Sequence, residues 1–385
     1  MLLFTIMVMD ILTGMEFDLF VPSFAQLQQQ FHLSAFWIEA LLSVNFIGCV
    51  LSLFIVGDLA DHYGRKSIIL AGLCIFVLGS ICCLVNDSFT LILLGRFLQG
   101  LGIAAPAILS FLIIADRYSL QKQQVLMALL NGSLNIAAGF APVIGSYIAL
   151  YFQWHGNFIA LLILGLITLI MTFCFVPAKD PHTHHINHAW FRGYGELFRS
   201  KTLLLYVSTI VIMNTPYWIF VGISPLLYIK DLHVNLSRFG FYQGILAFAF
   251  AIGSLLFGYL IRYASQARWL MIGIGLFVIA LALILWVTIT NSMSPLAITF
   301  AMLIFVIAQI IPGTILYPLS INFIPHAKAK ISALTQIARF IVTAIGLEIA
   351  GYFYQGSFQN TGIIILLFVV MIIVMQYYAA KISQI

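Results

Sequence analysis

Charge is scarce in this sequence: 8% of its 385 residues are Asp, Glu, Lys or Arg, whereas 63% are hydrophobic. Soluble domains carry about 25% charged residues, so this composition excludes a sizeable aqueous domain. The mean hydropathy of +1.10 indicates that nearly the whole chain consists of membrane-spanning segments joined by short connections. Helices are expected for these segments, because a lipid-facing strand edge would leave backbone groups without hydrogen bonds. The sequence therefore predicts an all-α membrane protein.

Motifs of several other function classes are also missing. No G-x-x-x-x-G-K-[S/T] phosphate-binding loop occurs, so we do not expect the chain alone to be an ATP-driven pump. No catalytic constellation lies in an aqueous segment, and we expect neither an enzyme nor a bound cofactor. None of the five cysteines has C-x-x-C spacing, which argues against a disulfide framework or a metal site. They are expected to be packing residues: Cys49, Cys74, Cys82, Cys83 and Cys174.

Twelve apolar segments are each long enough to cross a bilayer, at about 18–28 residues. They lie at roughly 3–25, 35–57, 67–86, 89–114, 123–149, 156–177, 202–229, 238–261, 268–290, 295–320, 329–354 and 360–380. The first begins at Leu2 without a basic n-region, and no small-residue cleavage site follows it. We interpret it as a retained helix; the alternative, a cleaved signal peptide, would leave eleven spans.

The basic residues predict the orientation of the chain. Of the 17 Lys and Arg residues, Arg96 and Arg339 lie within spans. With both termini in the cytoplasm, only Lys230 and Arg238 fall on the outer side. The others fall inside: Arg65, Lys66, Arg117, Lys122, Lys179, Arg192, Arg199, Lys201, Arg262, Arg268, Lys328, Lys330 and Lys381. Cytoplasmic loops are enriched in positive charge, so we expect a multi-pass inner-membrane protein with both termini in the cytoplasm. The net charge of +5 then reflects topology and does not indicate a nucleic-acid partner.

The longest polar stretch, residues 179–201, separates six predicted spans from six. We predict two six-helix bundles, 1–178 and 202–385, joined by a cytoplasmic middle loop, an arrangement common among transporters. The loop contains four histidines, which either bind a metal or belong to a solvated linker. No cysteine or carboxylate of matching spacing supports a metal site, so we favour the linker for His182, His184, His185 and His188.

A compact run of glycine and charge, G-D-L-A-D-H-Y-G-R-K at residues 57–66, separates spans two and three. In so apolar a chain it predicts a water-exposed hairpin. Its pattern resembles the loop between helices 2 and 3 of the major facilitator superfamily. The resemblance implies a cytoplasmic gating latch, with close helix approach at the first glycine and a carboxylate against a helix N-terminus of the opposite half. The alternative is a loop whose charges only set the topology. The residues assigned to the latch are Gly57, Asp61, Gly64, Arg65, Lys66, Asp116 and Arg117.

Arg96 lies inside span four, where a charged side chain is costly unless it faces a cavity or a partner. The alternative is that its side chain extends to the membrane interface. The surrounding R-F-L-Q-G-L-G-I-A-A resembles the superfamily's helix-4 motif, which implies that Arg96 hydrogen-bonds to helix 1 and links protonation to movement. In span five, an A-P-x-x-G arrangement resembles the antiporter branches, with Gly139, Pro142 and Gly145 as its characteristic residues.

Span one carries three carboxylates, Asp10, Glu16 and Asp18, and acids in a membrane helix indicate proton or substrate handling. On a continuous helix with about 100° per residue, Asp10 and Asp18 share a broad face and Glu16 points elsewhere. The D-x-x-x-P segment that begins at Asp18 resembles the helix-1 signature of the drug:proton antiporter group. Residues 343–350 and 218–225 resemble spans eleven and seven of its Bcr/CflA–MdfA branch. The resemblance implies proton coupling at Asp10, Asp18 and Arg96.

Other polar residues within the spans are candidates for further roles. Glu16, Glu39, Arg339 and Glu348 complete the ionisable set, with Glu39 expected at the outer interface. Arg339 and Glu348 lie about 180° apart on one helix and are not expected to pair. Residues of spans seven and ten either line a substrate pocket, where aromatic rings suit cationic or planar ligands, or are packing residues: Asn214, Tyr217, Trp218 and Gln309.

These observations favour a monomeric, proton-driven exporter of amphipathic small molecules. A selective carrier of a siderophore or a metabolite on the same fold is the alternative. A third hypothesis, from another class, is a transporter-like sensor that binds its ligand without moving it. A sensor would tolerate loss of the latch and of the carboxylates, whereas a carrier would not.

Overall fold

The computed structural model describes residues 1–85, 88–177, 197–324 and 327–382, and within these ranges the chain is helical, without a β-strand. The α-helices are α1 (Leu2–Glu16), α2 (Phe24–Phe31), α3 (Ala35–Tyr63), α4 (Arg65–Val85), α5 (Phe89–Arg117), α6 (Leu120–Phe175), α7 (Lys201–Pro225), α8 (Leu236–Leu260), α9 (Gln266–Ile289), α10 (Pro295–Phe323), α11 (Lys328–Phe353) and α12 (Phe358–Ile382). A π-helical turn, Leu226–Asp231, extends α7. The predicted all-α fold is confirmed.

Ten segments of the described ranges are long and apolar enough to cross a membrane. One of them, Leu129–Phe175, covers most of predicted spans five and six. Helix α6 consists of two helical arms that meet at a kink at Gln153, where φ is 57°. The predicted first span is not among the ten, because α1 has only 15 residues. With α1 and the two arms of α6, each of the twelve predicted spans has a helical counterpart.

Span one is not the continuous helix that the sequence predicts over residues 3–25. Helix α1 ends at Glu16, a turn and a bend follow, and a 3₁₀ turn at Val21–Ser23 leads into α2. Pro22 explains the break, because it has no N–H to donate to the carbonyl of Asp18, four residues earlier. The break leaves Asp18 in non-helical backbone between two helices, an arrangement that transporters use at ion and substrate sites.

The connection between α3 and α4 is also shorter than predicted. Helix α3 continues through most of the expected hairpin to Tyr63, and α4 begins at Arg65. Gly64 alone makes the turn, with a φ of 85°. Residues with a Cβ rarely adopt this left-handed conformation, which accounts for glycine here.

The chain folds into two compact units. The first comprises Met1–Leu33, Ala40–His188 and Leu236–Gly244, and the second comprises Ser34–Glu39, Ala189–Asn235 and Ile245–Ile385. The first turn of α3 thus belongs to the second unit. The bundle bounds predicted from the sequence, 1–178 and 202–385, remain predictions. Most of the predicted middle loop, 179–201, lies outside the described residues, as do its four histidines, His182, His184, His185 and His188.

Candidate functional site

A buried ion pair joins α1 and α5 in the first unit. Nη1 of Arg96 lies 2.8 Å from Oε1 of Glu16, and neither side chain is exposed. Nδ2 of Asn45, on α3, donates to the same carboxylate oxygen at 2.8 Å and to the backbone carbonyl of Arg96 at 3.0 Å. Three helices therefore meet at one charged cluster, and one amide from α3 bridges both charged residues.

Further protein groups contact the guanidinium, although its Nη2 is buried without a hydrogen-bond partner among the described residues. Nη1 donates to Oε1 of Gln99, one turn further along α5, at 2.7 Å, and Nε donates to the carbonyl of Leu41 at 3.3 Å. The Phe20 ring lies 3.8 Å from Cζ, a cation–π contact. Arg96 does not extend to the membrane interface, so that alternative is wrong. A charge at this depth is stabilised because both its Coulombic and its hydrogen-bonding partners are buried with it.

Asp18 lies in the break after α1, next to this cluster. Its side chain is buried, with 9% exposed, and its carboxylate is close enough to that of Glu16 for the two charges to interact. The predicted helical face shared by Asp10 and Asp18 is wrong, because the helix ends at Glu16. Glu16, which was expected to point elsewhere, is the acid that binds Arg96.

Asp10 occupies a separate position along α1. It is fully buried, and its Oδ1 accepts a hydrogen bond from Oγ of Ser110, on α5, at 3.1 Å. Its Oδ2 is buried and has no hydrogen-bond partner among the described residues. Six residues of helix separate Asp10 from Glu16, about 9 Å along the axis. The first unit therefore holds buried acids at two depths.

The predicted latch residues lie at the junctions of α3 with α4 and of α5 with α6. Nε of Arg65 pairs with Oδ2 of Asp116 at 2.5 Å, and Nζ of Lys66 donates to the carbonyl of Phe173 at 2.7 Å. Asp61 is exposed, and Arg117 is the last residue of α5. The close approach predicted at Gly57 is not seen, since no described atom lies within 4 Å of the place its Cβ would take.

The predicted antiporter residues lie on α6, which continues through Pro142 without a break. Gly139 is buried. At Gly145 a Cβ would overlap the backbone carbonyl oxygen of Leu19. Only glycine allows α6 to lie this close to the break that follows α1. Gly145 thus packs one residue away from Asp18.

In the second unit, Glu39 is fully buried, and its expected position at the outer interface remains a prediction. Its carboxylate lies against Gly222 on α7, and its Cγ lies against Gly351 on α11. The charges of Glu39 and Glu348 are close enough to interact. The second unit therefore holds two acids whose charges repel each other.

The second unit also contains a half-open cavity of about 390 Å³, which we call the Arg339 cavity. Asn214 and Gln309 line it as predicted candidates, but Tyr217 and Trp218 are not among its described lining residues. Arg339 lines it too, on a different side of α11 from Glu348. The residues of the Arg339 cavity are Ile210, Met213, Asn214, Phe250, Ser254, Gln309, Ile310, Gly313, Thr314, Tyr317, Gln336 and Arg339.

Several residues of these sites were not predicted from the sequence. Asn45 and Gln99 are polar residues within apolar helices, and the three-residue spacing of Arg96 and Gln99 was a usable signal. Phe20, Ser110 and Gln336 gave no comparable signal. Among the described residues, no three His, Cys, Asp or Glu side chains gather as a metal site.

Sequence comparisons place the chain among known transporters. Residues 6–347 match the family model of the Major Facilitator Superfamily. The chloramphenicol resistance protein CraA of Acinetobacter baumannii is 22% identical over 88% of this chain and 82% of its own. The multidrug resistance protein MdtL of Escherichia coli is 27% identical over 54% of each chain. An uncharacterized transporter of Rickettsia bellii is 27% identical, and the chain spans only 61% of its length.

Solved structures with similar folds are transporters as well. A bacterial homolog of the human lysosomal transporter Spinster, in an inward-facing and unoccupied conformation, matches 99% of this chain and 96% of its own with a TM-score of 0.77. The nucleoside transporter NupG matches over 100% of both chains with a TM-score of 0.76. At 13% and 14% identity, these two structures show the shared fold alone.

Proposed function

The chain belongs to the Major Facilitator Superfamily, and we propose that it exports amphipathic small molecules from the cytoplasm in exchange for protons. It is a multi-pass membrane transporter and not an enzyme. Within the proposal it acts as a monomer in the inner membrane, has both termini in the cytoplasm, uses no cofactor and is driven by the proton gradient.

The observation that carries this proposal is the excess of buried acid in the first unit. Asp10, Glu16 and Asp18 are all buried, and among the described residues Arg96 forms an ion pair only with Glu16. When all four groups are ionised, three negative charges face one positive charge. Burial makes uncompensated charge costly, so the two remaining acids favour a bound proton or a bound cation. Neither acid is needed to compensate Arg96.

Arg96 and Glu16 supply the fixed part of this arrangement. The guanidinium holds Glu16 through an ion pair, and Asn45 holds the same oxygen, so Glu16 has its charge compensated in place. Asp18 lies beside Glu16, two residues beyond the end of α1. A proton bound at Asp18 changes the charge next to the pair, and Arg96 transmits that change to α5. In this proposal a proton and a substrate molecule cannot be bound at the same time. This exclusion couples the entry of protons to the export of substrate.

The names of two relatives indicate the substrates to try first. CraA is called a chloramphenicol resistance protein and MdtL a multidrug resistance protein. We therefore propose antibiotic-like amphipathic compounds as substrates, with chloramphenicol as the first probe.

The test is transport by the purified chain in proteoliposomes with an acidic lumen. Protons that leave the lumen should drive radiolabelled chloramphenicol inwards, and collapse of the gradient by a protonophore should release it. A second set of vesicles, with an alkaline lumen, is the matched control and should not accumulate the compound. Accumulation only with an alkaline lumen would indicate symport and contradict the proposal. The proposal would also be contradicted if neither gradient drove accumulation of any compound in a panel of amphipathic molecules.

A further inference from the structure

Arg96 and Arg339 each lie about two turns or more from either end of their helices, and their surroundings differ. Arg96 in the first unit is bound to Glu16, Gln99 and the Leu41 carbonyl. Arg339 in the second unit has no ion-pair partner among the described residues, and its Nε is buried without a hydrogen-bond partner there. Its closest described ring contact is Phe340, 5.4 Å from Cζ. A guanidinium in a membrane helix without a protein counter-ion is costly.

The side chain of Arg339 lines the Arg339 cavity, which lies wholly within the second unit. Helix periodicity explains why residues of α10 and α11 face the cavity together. Gln336 and Arg339 are one turn apart on α11, and Gln309, Gly313 and Tyr317 follow one face of α10. Of the described lining residues, Arg339 alone carries a charge. The acid on the same helix, Glu348, is nine residues away, about 13 Å along the axis and on another side.

The remaining lining divides into polar and apolar parts. Asn214, Gln309 and Gln336 supply amide groups, which can donate or accept hydrogen bonds. Tyr317 and Thr314 already bond within the protein, to Ser332 at 3.0 Å and to the Ile310 carbonyl at 2.8 Å. The apolar part consists of Ile210, Met213, Phe250 and Ile310. A volume of about 390 Å³ is in the range of small-molecule sites.

We propose that the Arg339 cavity is an anion subsite, which binds the carboxylate of an amphipathic organic acid while its apolar body lies against the aliphatic and aromatic lining. A guanidinium binds a carboxylate through two parallel N–H···O bonds, and such charge-assisted bonds are about twice as strong as those between neutral groups. The inference rests on the proposed function, because it names an acidic substrate class for the same transporter. It also gives the Arg339 guanidinium a counter-ion, the ligand.

Equilibrium binding tests the subsite without a proton gradient. The purified chain is placed in nanodiscs of phosphatidylcholine, which offer no anionic lipid to compete. The probes are tritiated naphthalene-2-carboxylate and its isosteric carboxamide, measured by scintillation proximity. Wild type should bind the carboxylate at least about tenfold more tightly than the carboxamide. Equal affinity for the two probes would overturn the subsite.

Substitutions test whether Arg339 causes the preference for the carboxylate over the carboxamide. Arg339→Gln should lose it while the affinity for the carboxamide stays within about twofold, and Arg339→Lys should retain part of it, because an ammonium lacks the planar fork. Arg268→Gln removes the same charge from an exposed position of the second unit and should change nothing. If Arg339→Gln does not fold, Asn214→Asp provides the test, since a carboxylate built into the cavity should weaken binding of the carboxylate probe. An unchanged preference in Arg339→Gln or in Asn214→Asp would overturn the proposal.

The outcomes for the subsite and for the function are separate. If the carboxylate binds in an Arg339-dependent way but no gradient moves it in proteoliposomes, the subsite stands and proton-coupled export fails. If the gradient moves the carboxamide and wild type shows no preference for the carboxylate, export stands and the subsite fails.

Discussion

Nη1 of Arg96 lies 2.8 Å from Oε1 of Glu16, and neither side chain is exposed. This pair joins the end of α1 to the third turn of α5 and lies beside the break that contains Asp18. Breaking a buried ion pair by removing one partner costs about 3–5 kcal/mol, because the other charge is left uncompensated. The pair is therefore a structural contact, and in the proposed mechanism it is the fixed, charge-compensated group beside which Asp18 binds its proton.

The first prediction concerns the stability of this pair. Glu16→Gln and Arg96→Gln should each lower the thermal denaturation midpoint in detergent, because each leaves one buried charge alone. The double variant should be more stable than the sum of the two single effects allows, because it leaves no unpaired charge. Tryptophan fluorescence gives the denaturation midpoints of wild type, the two single variants and the double variant. Strictly additive losses would show that the two charges do not depend on each other.

The second prediction separates the transport role of Arg96 from its structural role. In the Glu16→Gln background, Arg96→Gln should abolish uptake driven by an acidic lumen, while the protein stays folded and monodisperse. Arg96→Lys in an otherwise wild-type chain should retain only part of the wild-type uptake, because a lysine cannot reproduce the bonds to Glu16, Gln99 and Leu41 together. Full gradient-driven uptake by the folded double variant would remove Arg96 from the coupling mechanism.

The third prediction concerns the contact between α6 and the break. Gly145→Ala should destabilise the protein by about 1–3 kcal/mol, since its Cβ would overlap the Leu19 carbonyl and force α6 away. Gly132→Ala is the matched control on the same helix, because no described atom lies within 4 Å of its Cβ position. Alanine has the higher helix propensity, so the control should be neutral or more stable by up to about 1 kcal/mol. Equal effects at the two positions, measured by thermal denaturation, would contradict the close packing.

The fourth prediction concerns orientation. Single cysteines placed at Lys66, His182 and Lys330 in a cysteine-free background should react with a membrane-impermeant maleimide only after the cells are opened. Lys230→Cys, on the opposite side in the predicted topology, is the control and should react in intact cells. Labelling of His182→Cys from outside intact cells would contradict the predicted orientation.

Much of the fold was predictable because hydrophobic length and sparse charge report directly on membrane helices. The site was less predictable, for identifiable reasons. Pro22 was visible, but hydropathy did not show that it ends the helix before Asp18, and the helical wheel then assigned Glu16 to the wrong side. The partner of Arg96 is 80 residues away along the chain, so no local spacing reveals it. Glu39 lies in the first turn of its helix, a position typical of an interface, and only the packing against Gly222 shows its burial.

Asp10 and Asp18 are the proton carriers in this account, and substrate-induced proton release tests that claim most directly. The purified protein is held in weakly buffered detergent solution with a pH-sensitive dye, and a compound that it transports in proteoliposomes is added. Wild type should release protons as the compound binds, whereas the Asp10→Asn/Asp18→Asn double variant should bind the compound and release none. Release of as many protons by the double variant as by wild type would contradict the account and place the carriers elsewhere, with Glu16 and Glu348 the next acids to examine.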